Sequence, residues 1–335
     1  MTLIDAIFIN NGGGKILLDY LIEEINNKKT LKVHYVFDLR IKDKHSKVTN
    51  GTYEYMSSSL FKRIKFYIKR RNFYNKVFCF GNLPPFIKLK TPVITYFHQP
   101  LYLKSIKKFN FYFNFLLRIK ISILYLIVNN SQKWVVQSAL IKNLLARKFK
   151  IKDENIYVIP FYPSIKKSNN FVKKELIFLY VSNGEPHKNH NRLLESFVLF
   201  YDKEKKGELH LTIDDSYNNL ILQINNLKIK GYPIINHGFL NHIELSKIYS
   251  KALFFIFPSL TESFGLGIIE ALESDCIIIG ADCSYMHAIC RPSYIFNPES
   301  VEDIYNVMVT AFNSIPNKSE QLVSNEVENL LSLLS

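Results

Sequence analysis

The sequence predicts an α/β protein built from two doubly wound, mostly parallel-sheet domains in tandem, and three observations predict it. Short apolar runs of strand type alternate with segments of helical periodicity, which implies parallel strands joined by crossover helices. The alternation is interrupted by the polar stretch SIKKSNNFVKK (164–174) and begins again at ELIFLYVS (175–182). Charge divides at nearly the same place. Residues 1–160 hold 28 Lys and Arg against 9 Asp and Glu, whereas residues 161–335 hold 15 against 20. We therefore expect a first domain over 1–163, a linker over 164–174, a second domain over 175–316, and a C-terminal helix over 317–335 that packs back on the first domain.

In the first half, AIFIN (6–10) reads as a short strand, and NGGG (11–14) as a turn opening a helix through about Glu24. LKVHYVFDL (31–39) alternates as a strand does, and KVFCFG (76–81), PVITYFH (92–98) and KWVVQS (133–138) are further apolar strands. Helical patterns such as SALIKNLLARKF (138–149) fill the gaps, and IYVIPFYP (156–163) leads to the linker. In the second half, strands at 175–182, ELHLTI (208–213), PIINHGFL (233–240), LFFIFPS (253–259) and CIIIGA (276–281) alternate with helices. Those helices lie over NHNRLLESFVLFYDKE (189–204), near 216–230, over HIELSKIYSKA (242–252) and over GLGIIEALES (265–274). Two such domains leave a cleft at the carboxyl ends of their strands, where open α/β sheets bind ligands.

Composition excludes several classes. Apolar residues make up 47% and charged residues 21%, a globular balance that rules out a disordered chain. No solenoid-period repeat is visible. The start, MTLIDAIFINNGGG, lacks the layout of a signal peptide, and the most apolar run, ISILYLIV (121–128), is too short to span a bilayer. A cytoplasmic protein is expected. Cys79 stands alone, and Cys276, Cys283 and Cys290 are spaced by seven. Without a Cys-x-x-Cys pair they read as reduced, buried thiols and not as a metal site.

The stretch PSLTESFGLGIIEALES (258–274) carries two glutamates eight apart, Glu262 in the turn before a helix and Glu270 about a turn and a half inside it. Backbone amides of Phe264, Gly265 and Leu266 at the helix start, with the helix dipole, suit a phosphate. Glu270 sits among Ile268, Ile269, Ala271 and Leu272, where a carboxylate is costly without partners.

FPSLTESFGLGIIEALESDCIIIGAD resembles the signature of the retaining family 4 glycosyltransferases, with the same spacing from Glu262 to Glu270. The resemblance implies the GT-B fold, two Rossmann-like domains facing each other across a cleft. It implies that Glu270 binds the ribose of a nucleoside-diphosphate sugar and that Glu262 contacts hydroxyls of the transferred sugar. The backbone of Phe264, Gly265 and Leu266 would meet sugar and diphosphate. Asp275 stands where the family usually has glycine. YVSNGEPHKNHNRLLESF (180–197) is similar to the family's strand–loop–helix that brings a lysine, here Lys188, to the donor diphosphate. Many members carry an arginine five residues earlier. Asn183 stands there, so the second cation is absent or supplied elsewhere, with His187, His190 and Arg192 as candidates. HGFLNHIELSKIYSKA (237–252) resembles the loop whose backbone reads the base, at about Gly238 and Phe239.

In the first half, NNGGGK (10–15) lacks the spacing of a dinucleotide fingerprint. Its glycines, Gly12, Gly13 and Gly14, let a bulky ligand approach a helix N-terminus. A strand ending at His98 in YFHQP (96–100) points an imidazole toward the cleft, and the family commonly carries a histidine there, close to the transferred sugar. The resemblance implies no metal and no cofactor beyond the donor itself.

From Tyr55 to Lys152 there are 20 basic residues and no acid. FKRIKFYIKRRNFYNK (61–76) and YLKSIKKFNFYFNFLLRIK (102–120) interleave cations with aromatic and aliphatic side chains, a pattern suited to an anionic membrane surface. No motif for nucleic acid accompanies them. Bacterial members of the family often extend polyprenyl-diphosphate-linked sugars or lipid A cores. The expected function is thus a retaining transferase acting on a saccharide or lipid-linked saccharide at the inner face of the bacterial inner membrane, in O-antigen, capsule or lipopolysaccharide synthesis. A non-catalytic basic protein for nucleic acid or anionic lipid, and a sugar-nucleotide epimerase on the same fold, are the competing readings.

Overall fold

The computed structural model describes residues 1–29, 31–103, 111–165, 174–314 and 317–335, and for 111–114 the backbone alone. They form two compact units, Met1–Pro163 with Ser324–Ser335, and Ser164–Val323. Most of the stretch read as a linker, 166–173, lies outside the described residues, as do 104–110 of the second basic stretch.

The first unit contains strands β1 (Thr2–Ala6), β2 (Val33–Asp38), β3 (Thr52–Met56), β4 (Lys76–Cys79), β5 (Val93–Tyr96), β6 (Lys133–Val136) and β7 (Ile156–Val158). Its helices include α1 (Gly12–Lys28), α2 (Leu60–Lys69), α3 (Phe111–Ile127) and α4 (Ala139–Phe149). The strands pair in the order β3-β2-β1-β4-β5-β6-β7, every neighbour parallel. Central strands are buried on both faces and therefore read as continuous apolar runs. Ser138 caps α4, its hydroxyl accepting from the Ile141 amide at 3.3 Å.

Two expectations need correction here. The first strand is TLIDA (2–6), not AIFIN (6–10). Asp5 disguises it, because its charge interrupts the apolar pattern, yet it is fully paired inside the unit. The carboxylate accepts from the Ile7 amide, and Phe8 then turns the chain through a left-handed conformation at φ 82°. The edge strand β3 was not anticipated. Its sequence TYEYM is half exposed and carries Glu54, which pairs with Arg70 and His34.

The second unit contains β8 (Glu175–Tyr180), α5 (His190–Glu204), β9 (Glu208–Leu211), α6 (Asn218–Ile229), β10 (Ile234–Asn236), α7 (His242–Lys251) and β11 (Ala252–Phe257). It continues with α8 (Leu266–Glu273), β12 (Ile277–Ala281), α9 (Ser284–Ile289), β13 (Cys290–Arg291), β14 (Tyr294–Phe296), α10 (Val301–Asn313) and β15 (Glu320–Gln321). Its sheet runs β10-β9-β8-β11-β12-β14, again wholly parallel, while β13 and β15 form a small antiparallel pair.

The helix expected over 317–335 is shorter, α11 (Val327–Leu334). The polar residues before it are strapped to the second unit. Ser319 Oγ accepts from the amides of Ile278 and Ser293, and Ser293 Oγ donates to the Asn317 carbonyl. The α11 segment belongs to the first unit, where Thr2 Oγ1 donates to the Leu334 carbonyl and Lys28 pairs with Glu328 at 2.6 Å.

Candidate active site

In the second unit the loops that follow β8 and β11 are stitched together. Leu260 N–H and Ser259 Oγ both donate to the His187 carbonyl, at 2.8 and 3.3 Å. Asn189, held left-handed at φ 65°, sends its Nδ2 to the carbonyls of Pro258 and Pro298. Tyr180 Oη donates to the Lys188 carbonyl at 2.9 Å, and Tyr285 Oη to that of Ser259 at 2.5 Å. These bonds fix two side chains that lie 74 positions apart, and Lys188 Nζ meets Glu262 Oε1 at 2.5 Å. Both side chains are mostly buried, so the pair is little screened by solvent.

Helix α8 begins beside Glu262. Gly265 adopts φ 83°, a left-handed conformation that favours glycine, and a Cβ there would also press on the end of the Ile268 side chain at 2.8 Å. No side chain caps this end and no acid lies in its first turn, so Glu262, already paired with Lys188, is the acid just before the positive end of the dipole. Phe264 is packed into the core. Glu270 is 6% exposed, and its Oε2 accepts from Tyr249 Oη at 2.9 Å. Gly267 leaves the space for this contact, since a Cβ there would stand 3.3 Å from the Tyr249 hydroxyl. Burial pushes the Glu270 carboxyl up to about 7, against the lowering effect of the Tyr249 bond.

Asn183 is exposed. The histidines considered as its substitutes bring no charge at neutral pH. Burial, helped by the nearby Lys188 charge, lowers His187, and burial brings His190 down to about 3, its ring packed on Tyr180. Of the three candidates only Arg192 is permanently charged, and its Nη1 donates to Asn189 Oδ1 at 2.8 Å. Gly238 is left-handed at φ 67° with open space around it, and Phe239 is 86% exposed. Asp275, in the glycine position of the signature, takes the left-handed turn regardless, at φ 57°.

In the first unit, Gly12 to Gly14 start α1 at the carboxyl end of β1, and His98 follows β5 at the same edge of the parallel sheet. Gly14 faces the imidazole, for a Cβ there would be 3.3 Å from His98 Nε2. Burial drops His98 to about 4. The ring stacks on Tyr96, and Asn82 bonds it.

Residues 161–325 match the family model described as "Glycosyl transferases group 1". The match takes in the whole of the second unit and just under half of the chain. The chain is 30% identical to the O-antigen chain mannosyltransferase RfbU of Salmonella typhimurium over 203 residues, 56% of this chain and 51% of that one. The chain thus spans about half the length of this curated relative. Among solved structures it resembles Anabaena HepE in complex with UDP and glucose, with TM-score 0.68 and 14% identity over 94% of this chain and 90% of that one. It also resembles the lipopolysaccharide outer core galactosyltransferase WaaB in its apo form, with TM-score 0.61 and 14% identity over 93% and 91%. The two parallel-sheet units therefore have the GT-B fold.

Sequence reasoning singled out Lys188, Glu262 and Glu270 as candidates but not the groups that hold them. Tyr249, Asn189, Tyr285 and Asn82 lie far along the chain from the residues they bond, and no local motif marks them. The one signal was indirect, because a glutamate in an apolar helix requires a buried donor somewhere.

Proposed function

We propose that this protein is a retaining glycosyltransferase. It moves a sugar from a nucleoside diphosphate to a saccharide or lipid-linked saccharide during bacterial surface-polysaccharide synthesis. The observation that carries the reading is the Lys188–Glu262 pair fixed beside the open start of α8, with Glu270 buried a turn and a half further in. The relatives' names support the class of product, one an O-antigen mannosyltransferase and another a lipopolysaccharide galactosyltransferase.

In this reading the second unit takes the donor. Lys188 exchanges Glu262 for the diphosphate and neutralises charge on the leaving group, assisted by the α8 amides. Glu262 is then released to hold hydroxyls of the sugar, and Glu270 accepts from the ribose hydroxyls. The acceptor hydroxyl attacks from the face that the diphosphate leaves, so positioning and electrostatics supply the rate and the anomeric configuration is retained. Charge is handled by protein groups, and the reading calls for no metal. The first unit serves the acceptor, with His98 and the Gly12–Gly14 loop meeting sugar.

The first unit also docks on an anionic membrane face. Helix α2 exposes Phe61 and Ile68 beside Lys62, Lys65 and Lys69, and α3 exposes Phe115, Ile119 and Leu126. No described helix is long and apolar enough to cross a bilayer. Salt-reversible binding to anionic liposomes checks this, and failure to bind at low ionic strength sinks it.

The enzyme assignment is tested with a panel of nucleotide sugars and oligosaccharide acceptors, reading thermal stabilisation, turnover and the anomeric form of the product. The parent protein should bind and turn over one donor with retention. Glu270→Ala should lose at least about tenfold in donor affinity, the value of one or two charge-assisted hydrogen bonds. Equal binding and turnover by parent and variant rules out this site. Epimerised free nucleotide sugar without transfer would point to the epimerase instead.

A further inference from the structure

The contact between Asn82 and His98 fixes more than the position of a ring. Asn82 follows β4 and sits left-handed at φ 68°, a conformation asparagine tolerates better than most residues. The loop that carries it is pinned by the buried Arg63, whose Nη2 and Nη1 donate to the carbonyls of Leu83 and Pro84 at 2.7 and 2.9 Å. Asn130 Nδ2 holds the Pro85 carbonyl at 2.8 Å.

From this fixed loop the Asn82 amide makes two contacts, and one determines the chemistry of the other. The backbone N–H of His98 can only donate, so the atom it meets at 2.7 Å is the oxygen Oδ1. The Asn82 NH2 therefore faces the imidazole, 3.3 Å from Nε2. An amide NH2 offers hydrogens alone, so Nε2 must present its lone pair. The ring is neutral, because burial holds His98 well below the usual histidine range. A neutral imidazole with a bare Nε2 carries its proton on Nδ1. Nδ1 is buried and has no partner among the described residues.

We propose that Asn82 is a positioning residue that locks His98 as the Nδ1–H tautomer, its bare Nε2 held by the Asn82 amide, so that the ring does not serve as a base for the acceptor hydroxyl. An asparagine is the fitting residue, since it supplies an acceptor for the backbone and a donor for the ring from one planar group. Gly14 and Tyr96 complete the seat. The first leaves room at Nε2, and the second, the titratable neighbour in ring contact, stacks on the imidazole at 4.9 Å. The acceptor hydroxyl rests on the glycosyltransferase reading, whereas the tautomer does not.

The experiment is a nitrogen-15 to proton correlation on the full chain labelled at histidine, with the His98 ring assigned by its loss in His98→Gln. The parent protein should show a protonated Nδ1 and an unprotonated Nε2. In Asn82→Asp one oxygen still accepts from the backbone, and the other becomes an acceptor facing Nε2. The tautomer ratio should then shift toward Nε2–H by roughly tenfold or more, about one hydrogen bond, and the His98 pKa should rise by roughly one to three units. The pH profile of kcat in the parent should show no step that His98→Gln removes, the Glu270 carboxyl accounting for any change near 7, while the aspartate variant should acquire an added dependence. An Nε2–H tautomer in the parent overturns the proposal, as does an Asn82→Asp ring unchanged in tautomer and pKa. A parent protein that is Nδ1–H yet transfers no sugar leaves the lock standing and removes the functional reading instead.

Discussion

Each unit buries a carboxylate, and the two are treated in opposite ways. Asp5 in the first unit, 2% exposed, accepts from Arg63 Nε at 2.7 Å, from Tyr67 Oη at 2.6 Å and from the Ile7 amide at 3.2 Å. Its partner Arg63 is used up as well, on the carbonyls of Leu83 and Pro84. Glu270 in the second unit is almost as buried, but the bond shown to it comes from a single hydroxyl, and its carboxyl is raised to about 7. A buried charge matched by a counter-charge and hydrogen bonds belongs to the fold. One left with a single neutral donor is held at a cost, which is how groups reserved for ligands are found.

The comparison breaks first at Arg63. Removing one partner of a buried ion pair leaves the other uncompensated, at about 3–5 kcal/mol. Arg63→Ala should destabilise the first unit by that order. Trp134, the chain's single tryptophan and buried in that unit, makes the loss readable in urea by fluorescence. A change below about 1 kcal/mol, the value of a surface pair, would mean that Asp5 and Arg63 are not a structural ion pair of the fold.

Glu270 should behave in the reverse sense. Its folded pKa, about 7, lies above the ordinary value of 4.5. The proton is therefore bound more tightly in the folded protein. Its contribution to stability is complete below the ordinary value and is lost as pH rises through about 7. The raised pKa corresponds to roughly 3 kcal/mol lost by pH 8. Glu270→Gln should flatten that slope, so that the variant is more stable than the parent at pH 8 while binding nucleotide sugar less well. Amide hydrogen exchange in β11 and β12 reports this for the second unit alone. If the variant is less stable than its parent at pH 8, Glu270 is a structural group like Asp5.

This contrast also shows what the sequence made legible. Parallel strands of the second unit could be read directly, because LFFIFPS and CIIIGA are buried on both faces and carry no charge. Asp5 hid β1 because its compensation, Arg63 and Tyr67, lies 58 and 62 residues away. The signature around Glu262 and Glu270 was local and was found. Tyr249, which bonds Glu270 from 21 residues upstream, was not, since it became a neighbour only through the packing of α7 against α8. Charge compensation is a tertiary property, and sequence shows the charge without its partner.

The smallest effect tests the same distinction at the backbone. Asn82 in the first unit and Asp275 in the second both adopt left-handed φ, at 68° and 57°. Asn82 uses that conformation to aim its amide at His98, so the strain has a use. Asp275 ends α8, and its carboxylate lies 3.7 Å from the exposed Lys318 ammonium, a contact worth little in solvent. Left-handed conformation is unfavourable for a residue with a Cβ and nearly free for glycine, while glycine adds entropy to the unfolded chain. The balance should favour Asp275→Gly by roughly 0.5–1 kcal/mol, visible as a small rise in thermal midpoint with donor affinity unchanged. Asn82→Gly relieves the same backbone strain but should show its cost in the His98 tautomer and in turnover. If Asp275→Gly instead lowers stability, the Asp275 side chain does more than tolerate its turn, and left-handed φ no longer separates the two residues.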